Sequence, residues 1–128
     1  MKKAIKKHET PYVMMFIEEG ILHFYYKQIE NLDQHVAEAC VQARKAFTEN
    51  KDYPCLVDVI SIKNFTKEAR DYFANEGNEG ITANAILINS TVTKMMANFY
   101  IMVNKPQNPT RMFTDKKSAL EWLKQFNK

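Results

Sequence analysis

Two short apolar runs with a helix-forming stretch between them constrain the fold more than any other feature of this sequence. The runs are Pro54–Ile60 and Ala83–Asn89, and Thr66 and Gly77 bound the helical stretch that separates them. Nearly continuous apolar runs of this length are typical of strands that are covered on both faces of a sheet. Two such strands joined through a helix form a βαβ unit, so the chain is predicted to build an α/β sheet.

The flanking segments extend this unit in both directions. A hairpin is predicted around Gly20, which supplies a residue that adopts positive φ readily, and Asp33 has the character of a helix N-cap. The predicted order is ββαβαβαβα, a mixed central sheet with helices packed on it. The further strands cover residues 12–17, 21–26 and 111–113, and the further helices cover residues 33–49, 92–104 and 115–126.

Length and charge limit the classes of protein that this chain can represent. The 128 residues fit one domain, of which residues 1–10 form a basic leader that we expect to be loosely ordered. The net charge of +3 is too small, and its cations too scattered, for a nucleic-acid binder. There is no apolar run long enough to enter a membrane and no secretory signal, so we expect a cytoplasmic protein. Cys40 and Cys55 are expected to be buried free thiols.

The motifs of common catalytic and cofactor sites are missing from the sequence. It contains no glycine-rich phosphate loop and no nucleophile elbow. His8, His23 and His35 have no metal-ligand spacing, and His23 is expected to be a partly exposed strand residue. We therefore predict no catalytic residue, no metal and no cofactor, and we favour a protein that is not an enzyme.

Polar residues follow the carboxyl ends of the two apolar strands, where functional groups collect in open α/β sheets. Such a polar rim could take a phosphate, another ligand or a partner's side chain, and ordinary capping and turn formation is the alternative interpretation. Asp58 is the most notable member, because a carboxylate within an apolar run needs a hydrogen-bond partner. The rim consists of Asp58, Ser61, Lys63, Asn64, Thr66, Asn89 and Ser90.

The third helix is apolar on nearly its whole circumference. Residues 95, 99, 102 and 103 form one stripe at helical spacing, which the prediction assigns to the core. Met96, Tyr100 and Ile101 then remain as surplus apolar surface, either for a second subunit or a partner protein or as part of a thick core.

Three segments resemble the SpoIIAA-like, or STAS, fold, and more narrowly a group of uncharacterised bacterial proteins within it. They are residues 53–59, 66–73 and 104–115, and the closing Ala119–Leu123 agrees as well. The resemblance covers almost the whole chain in the order of its elements. It implies a small regulatory domain that binds another protein or a second copy of itself, with a homodimer expected.

Anti-sigma-factor antagonists of this fold are switched by phosphorylation of a serine at the start of the helix after the central strand. By alignment the usual Asp-Ser pair is Thr66-Lys67 here, so a lysine occupies the phosphoacceptor position and Thr66 is expected to be an N-cap. This departure argues against the phosphoswitch and leaves an interaction module. The alternative function is a small-ligand-binding domain or weak enzyme that uses the polar rim, for which a cavity of several hundred cubic ångströms beside Asp58 is the expected sign.

Overall fold

The computed structural model describes residues 6–127, which form one six-stranded sheet with four α-helices. A π-helical turn at Tyr100–Asn104 extends the third helix. The strands are β1 Lys7–Glu9, β2 Val13–Glu18, β3 Ile21–Tyr26, β4 Tyr53–Asp58, β5 Ile81–Leu87 and β6 Thr110–Phe113, and the helices are α1 Gln34–Thr48, α2 Lys67–Ala74, α3 Thr91–Phe99 and α4 Lys116–Lys124.

The strands lie side by side in chain order, which makes the sheet mixed as predicted. β1, β2 and β3 are antiparallel, whereas β3, β4, β5 and β6 are parallel. In the centre Leu56 lies between His23 and Ala85 on neighbouring strands. β4 and β5 therefore occupy interior positions, which explains why their sequences are nearly all apolar.

The basic leader contributes a strand that the sequence prediction missed. Lys7–Glu9 form β1, which pairs with β2 so that Lys7 lies opposite Phe16. This strand adds backbone hydrogen bonds at the sheet edge. Its side chains are exposed, so its sequence has no apolar pattern from which a strand could be predicted. The expectation of loose order was thus wrong for these three residues, and residues 1–5 lie outside the described residues.

The two faces of the sheet carry different helices. On one face α4 packs Ala119 and Leu123 against Leu56 and the small side chains of β5. On the other face α1 covers β2 to β4, with Cys40 packed near Cys55, and α2 and α3 cover β5. The result is a three-layer arrangement, in which the apolar residues of β4 and β5 are buried from both sides.

Local capping chemistry fixes where the helices begin. In each of the four helices the N-cap residue accepts a hydrogen bond from a backbone N–H one turn ahead, which satisfies an otherwise orphaned donor, and Asp33 and Thr66 are caps as predicted. The caps are Asp33 on Val36, Thr66 on Ala69, Ser90 on Thr93 and Asp115 on Ser118. The hairpin turn also agrees with prediction, since Gly20 has a φ of +75°.

Candidate functional site

Four of the seven polar-rim residues form local hydrogen bonds at the ends of β4 and β5. Asp58 is half-buried, and its Oδ1 accepts a hydrogen bond from the backbone N–H of Ile60 at 3.0 Å. Thr66 and Ser90 are helix caps, and Ser90 forms a reciprocal capping box with Thr93. The backbone N–H of Asn89 donates to the hydroxyl of the same Thr93 at 3.2 Å. These four members of the rim therefore shape turns and helix ends.

The remaining rim residues hold two loops together. The segment after β4 pairs with the segment after β3, where Ser61 accepts a backbone hydrogen bond from Ile29. The amino group of Lys63 lies 3.5 Å from the carboxylate of Glu30, and Asn64 donates to Asn31. The structure thus places these three residues in one loop pair.

Asp58 does not line any of three cavities within residues 6–127, although its neighbours Val57 and Val59 line one of them. Asn64 is the single rim residue that lines any of them. The position aligned with the phosphoacceptor serine holds Lys67, whose amino group lies 2.9 Å from the carboxylate of Asp71 and forms an ion pair with it.

The exposed apolar surface of the third helix lies on the opposite side of the helix from the predicted one. Tyr100 is only 8% exposed, and Met96 and Ile101 are half-buried. The residues assigned to the core are instead the exposed ones. Because the helix is apolar on nearly every side, periodicity could not decide which side faces the sheet, and small Ala97 with Thr93 mark the side that does.

We call the exposed residues the α3 face. Large apolar side chains are here 46–67% exposed, far more than in a typical core-facing stripe. Beside them lies an open groove of about 290 Å³ between α2 and α3. The α3 face consists of Val92, Met95, Phe99, Met102 and Val103.

Three cations lie near the α3 face, and none of them forms an ion pair within residues 6–127. The guanidinium of Arg70 lies 4.7 Å from the centre of the Phe99 ring and donates to the carbonyl of Phe65 at 2.7 Å. Lys94 and Lys105 are exposed, and neither is ion-paired within residues 6–127. The sequence contains no Asp or Glu from residue 80 to residue 114. The surface is thus apolar at its centre and positive at its edge.

A second feature that the sequence reading missed is an interior cavity of about 100 Å³ between the sheet and α1 to α3. Apolar side chains form most of its wall, and Tyr26, Arg44 and Asn78 supply polar groups. Arg44 is charged, yet it is only 3% exposed. The available signal was its spacing, since it follows buried Cys40 by four residues and so shares its helical face.

Burial also perturbs several titratable groups. His23 is 2% exposed, so the prediction of partial exposure was wrong. Burial and then the nearby cation of Lys116 lower its pKa to about 4. Cys40 and Cys55 are buried free thiols, as predicted, and burial raises the pKa of each to about 12. Reactive cysteines have lowered pKa values, so neither thiol is activated.

No group of three or more His, Cys, Asp and Glu side chains in residues 6–127 could hold a metal ion. Among the helices of the same residues, none is long and apolar enough to cross a membrane.

Comparisons with known proteins identify the fold. The family model of a domain of unknown function, DUF7793, matches residues 15–127. An uncharacterised protein of the DUF3478 family with a SpoIIAA-like fold, from Shewanella loihica PV-4, has a TM-score of 0.59 at 13% identity over 94% of this chain and 92% of that chain. A protein of unknown function from Arthrobacter sp. FB24 has a TM-score of 0.30 at 24% identity over 83% and 93%. No curated protein matches the sequence. The chain thus has the SpoIIAA-like α/β fold that its sequence resembles.

Proposed function

The chain belongs to the DUF7793 family, and we propose that it is a non-enzymatic interaction module whose α3 face binds an acidic, amphipathic segment of another protein. The observation that carries the proposal is a continuous row of large apolar side chains on one helix, exposed to solvent. Exposed apolar patches of this kind mark binding surfaces in soluble proteins. Met95 and Met102 suit such a surface because unbranched thioether side chains adapt to a partner's shape.

Charge decides which partner fits. Arg70, Lys94 and Lys105 lie at or near the edge of the α3 face. The stretch from residue 80 to residue 114, which holds the two lysines, contains no Asp or Glu, whereas Arg70 has Glu68 and Asp71 beside it on α2. A partner that presents carboxylates around an apolar anchor satisfies both parts of the surface, and its anchor fits the groove beside Phe99 and Met95. Opposite charges on the edge of the α3 face and on the partner speed association, and the same cations repel basic partners.

The same charges disfavour a second copy as the occupant. A symmetric dimer through the α3 face would bring together two surfaces that both carry Lys94 and Lys105 at their edges. The homodimer expected from the sequence remains a prediction, which the experiment below distinguishes from the acidic partner. The proposed module acts in the cytosol, where buried thiols such as Cys40 and Cys55 stay reduced.

The experiment is site-specific photo-crosslinking in the source cells, with a photoreactive residue replacing Met95. The matched control carries the same residue at Lys124, which is exposed on α4 on the opposite side of the sheet. We expect crosslinks from position 95 and background from position 124. Mass spectrometry of the crosslinked peptide must find an acidic segment with apolar residues at helical spacing, since capture of any protein alone does not support the proposal.

Charge reversal provides the second readout. Lys94→Glu combined with Lys105→Glu is expected to reduce the crosslinked fraction at least tenfold, because each reversal replaces an attraction by a repulsion. A basic or uncharged crosslinked segment, or an unchanged yield in the reversed variant, overturns the proposal. A crosslink between two copies of this chain overturns it in favour of the homodimer.

The polar rim supports the alternative function less well. A ligand site there needs side chains free to bind, whereas Thr66 and Ser90 cap helices and Asp58 holds the turn at Ile60. The alternative of a ligand-binding domain or weak enzyme at the rim therefore remains a prediction without a supporting cavity.

A further inference from the structure

The interior cavity between the sheet and α1 to α3 is larger than the voids that proteins usually leave. Its volume is about 100 Å³. Close-packed interiors hold few voids larger than a water molecule, because every empty space forfeits contacts between atoms. A dry apolar cavity of roughly 150 Å³ holds benzene, so on the same scale this cavity holds a molecule of about four heavy atoms in total.

Most of the cavity wall is apolar. Phe24, Val57 and Ile86 line it from the sheet, and Ala97 lines it from α3. About three water molecules, at roughly 30 Å³ each, would fill the space, and a buried water normally forms about three hydrogen bonds. Apolar side chains offer no such bonds, so an apolar body suits this part of the cavity better than water does.

Two residues of the wall carry hydrogen-bond donors. The side chain of Asn78 is 3% exposed, and its Nδ2 has no hydrogen-bond partner within residues 6–127. Its Oδ1 accepts a hydrogen bond from Asn84 at 3.0 Å, which fixes the amide group. Tyr26 lines the cavity too, and burial raises its pKa strongly, so its hydroxyl keeps its proton. A buried donor without a partner is costly, and an acceptor on a bound molecule would remove that cost.

The charged residue of the wall, Arg44, is turned toward a neighbouring loop. Its Nη2 donates to the carbonyls of Gly77 and Glu79 at 3.0 and 2.9 Å. The same side chain lines a second pocket, which it shares with the acidic residues Asp52 and Glu79. An anion in the interior cavity would therefore be buried without a counter-ion directed at it, which is costly. The molecule that fits is neutral.

From the size, the apolar wall and the free donors we propose that the cavity binds a small neutral carbonyl compound, with about four heavy atoms in total. Its carbonyl oxygen accepts hydrogen bonds from Asn78 and Tyr26, and its apolar body occupies the rest of the space. Phe65 and Met96 line both this cavity and the groove beside the α3 face, so they form the wall between the two. The compound enters there when the flexible side chain of Met96 moves.

The test is a titration of the purified chain with acetone, followed by methyl NMR. Acetone has three carbons and one carbonyl oxygen, which is the proposed size. Ile86 and Met96 line the cavity and carry methyl groups, whereas Met14 on β2 does not line it and serves as the internal reference. We expect shifts that saturate at millimolar acetone for the first two residues, and at most a linear drift for Met14.

Two control compounds separate the charge and the size of the bound molecule. Acetate has nearly the same shape as acetone and carries a negative charge. The ketone 3,3-dimethylbutan-2-one is neutral and has a larger body, which exceeds the volume of the cavity. Each is expected to bind at least tenfold more weakly than acetone.

The hydrogen bond is tested with Tyr26→Phe, which is expected to weaken acetone binding about fivefold. The apolar compound 2-methylpropane has the same number of heavy atoms and no acceptor, so its affinity should not change in this variant. That comparison separates a lost hydrogen bond from an altered cavity. Tyr53→Phe is the matched control, because this half-buried tyrosine does not line the cavity, and its affinity for acetone should equal that of the wild type.

The place of binding is tested with Ala97→Leu, which fills part of the cavity. This variant is expected to weaken acetone binding at least tenfold, and its own methyl spectrum reports whether it folds. If it does not fold, Tyr26→Phe decides the question alone, since the removal of one hydroxyl leaves the packing of the ring in place.

Three results would overturn the inference. The first is an absence of saturating shifts at Ile86 and Met96. The second is unchanged affinity for acetone in Tyr26→Phe or in folded Ala97→Leu. The third is affinity for acetate equal to that for acetone, which would remove the preference for a neutral molecule. None of these results bears on the α3 face, whose test uses different residues.

Discussion

His23 should make this protein lose stability in mild acid. It lies in β3 stacked on Phe16, with ring centres 4.5 Å apart, and its Nδ1 has no hydrogen-bond partner within residues 6–127. Burial, followed by the cation of Lys116, lowers its pKa from 6.5 to about 4, and the carboxylate of Glu18 opposes this in part. The folded state therefore holds a neutral imidazole at a pH where the unfolded chain is already protonated.

The direction and the size of this change in stability follow from the difference between the folded and unfolded pKa values of His23. Because the pKa is lower in the folded state, the stabilisation is complete above about pH 6.5 and is lost as the pH falls toward 4. The whole pKa difference corresponds to about 3 kcal/mol, and most of it, about 2 kcal/mol, is lost by pH 5. That is a large share of the 5–15 kcal/mol that stabilises a typical domain.

The assay is urea unfolding at pH 7.5 and pH 5, for the wild type and for His23→Phe. Phenylalanine has a similar shape and no titratable group, so carboxylate titrations cancel when the two proteins are compared. Between these pH values, the free energy of unfolding of the wild type should fall by about 2 kcal/mol more than that of the variant. The control is His35→Gln on exposed residue 35 of α1, which should behave like the wild type. Equal losses in the wild type and His23→Phe would refute the argument.

Three further predictions follow from burial and capping. Tyr100→Ala should lower the free energy of unfolding by about 3–5 kcal/mol in urea titrations, whereas Met95→Ala on the exposed side of the same helix should change it by about 0.5 kcal/mol or less. Equal effects would mean that the helix is oriented differently. Ser90→Ala should cost about 1 kcal/mol in the same assay through loss of the α3 cap, and no change would return Ser90 to the list of candidate ligand-binding residues. Ellman's reagent should modify neither Cys40 nor Cys55 in the folded protein at pH 8 and both after unfolding in urea; rapid labelling of the folded protein would contradict their burial.

The elements of the fold could be predicted because each depends on nearby residues. Asp33, Thr66, Ser90 and Asp115 were identifiable as caps, since a cap bonds to a backbone N–H only three residues ahead. Likewise, the nearly all-apolar sequences of β4 and β5 indicate by themselves that both strands are buried. β1 had no such signal, because it is held by backbone pairing to β2 and by contacts with distant residues, namely the stacking of His8 on Phe47 and the ion pair between Glu9 and Lys27.

The candidate site was harder to predict because it depends on contacts between distant residues. The polar residues after β4 were correctly placed at the strand end, but whether they bind a ligand or one another depends on the loop after β3. Arg44, Asn78 and Tyr26 lie on three different elements, and no sequence spacing joins them. The cavity between them exists because helices and sheet meet without filling the space.

By itself, the sequence determined the α/β class, the order of elements and the helix caps, because hydrophobic periodicity and capping act over a few residues. It also determined that the third helix has more apolar surface than a single sheet face can cover. Only the tertiary structure decided which side of that helix is buried. Ala97 fits closely against β5, and Tyr100 fills the space beside Phe65, so the bulky Met95 and Phe99 turn outward. That choice depends on the shapes of surfaces brought together from distant parts of the chain, which no local pattern encodes.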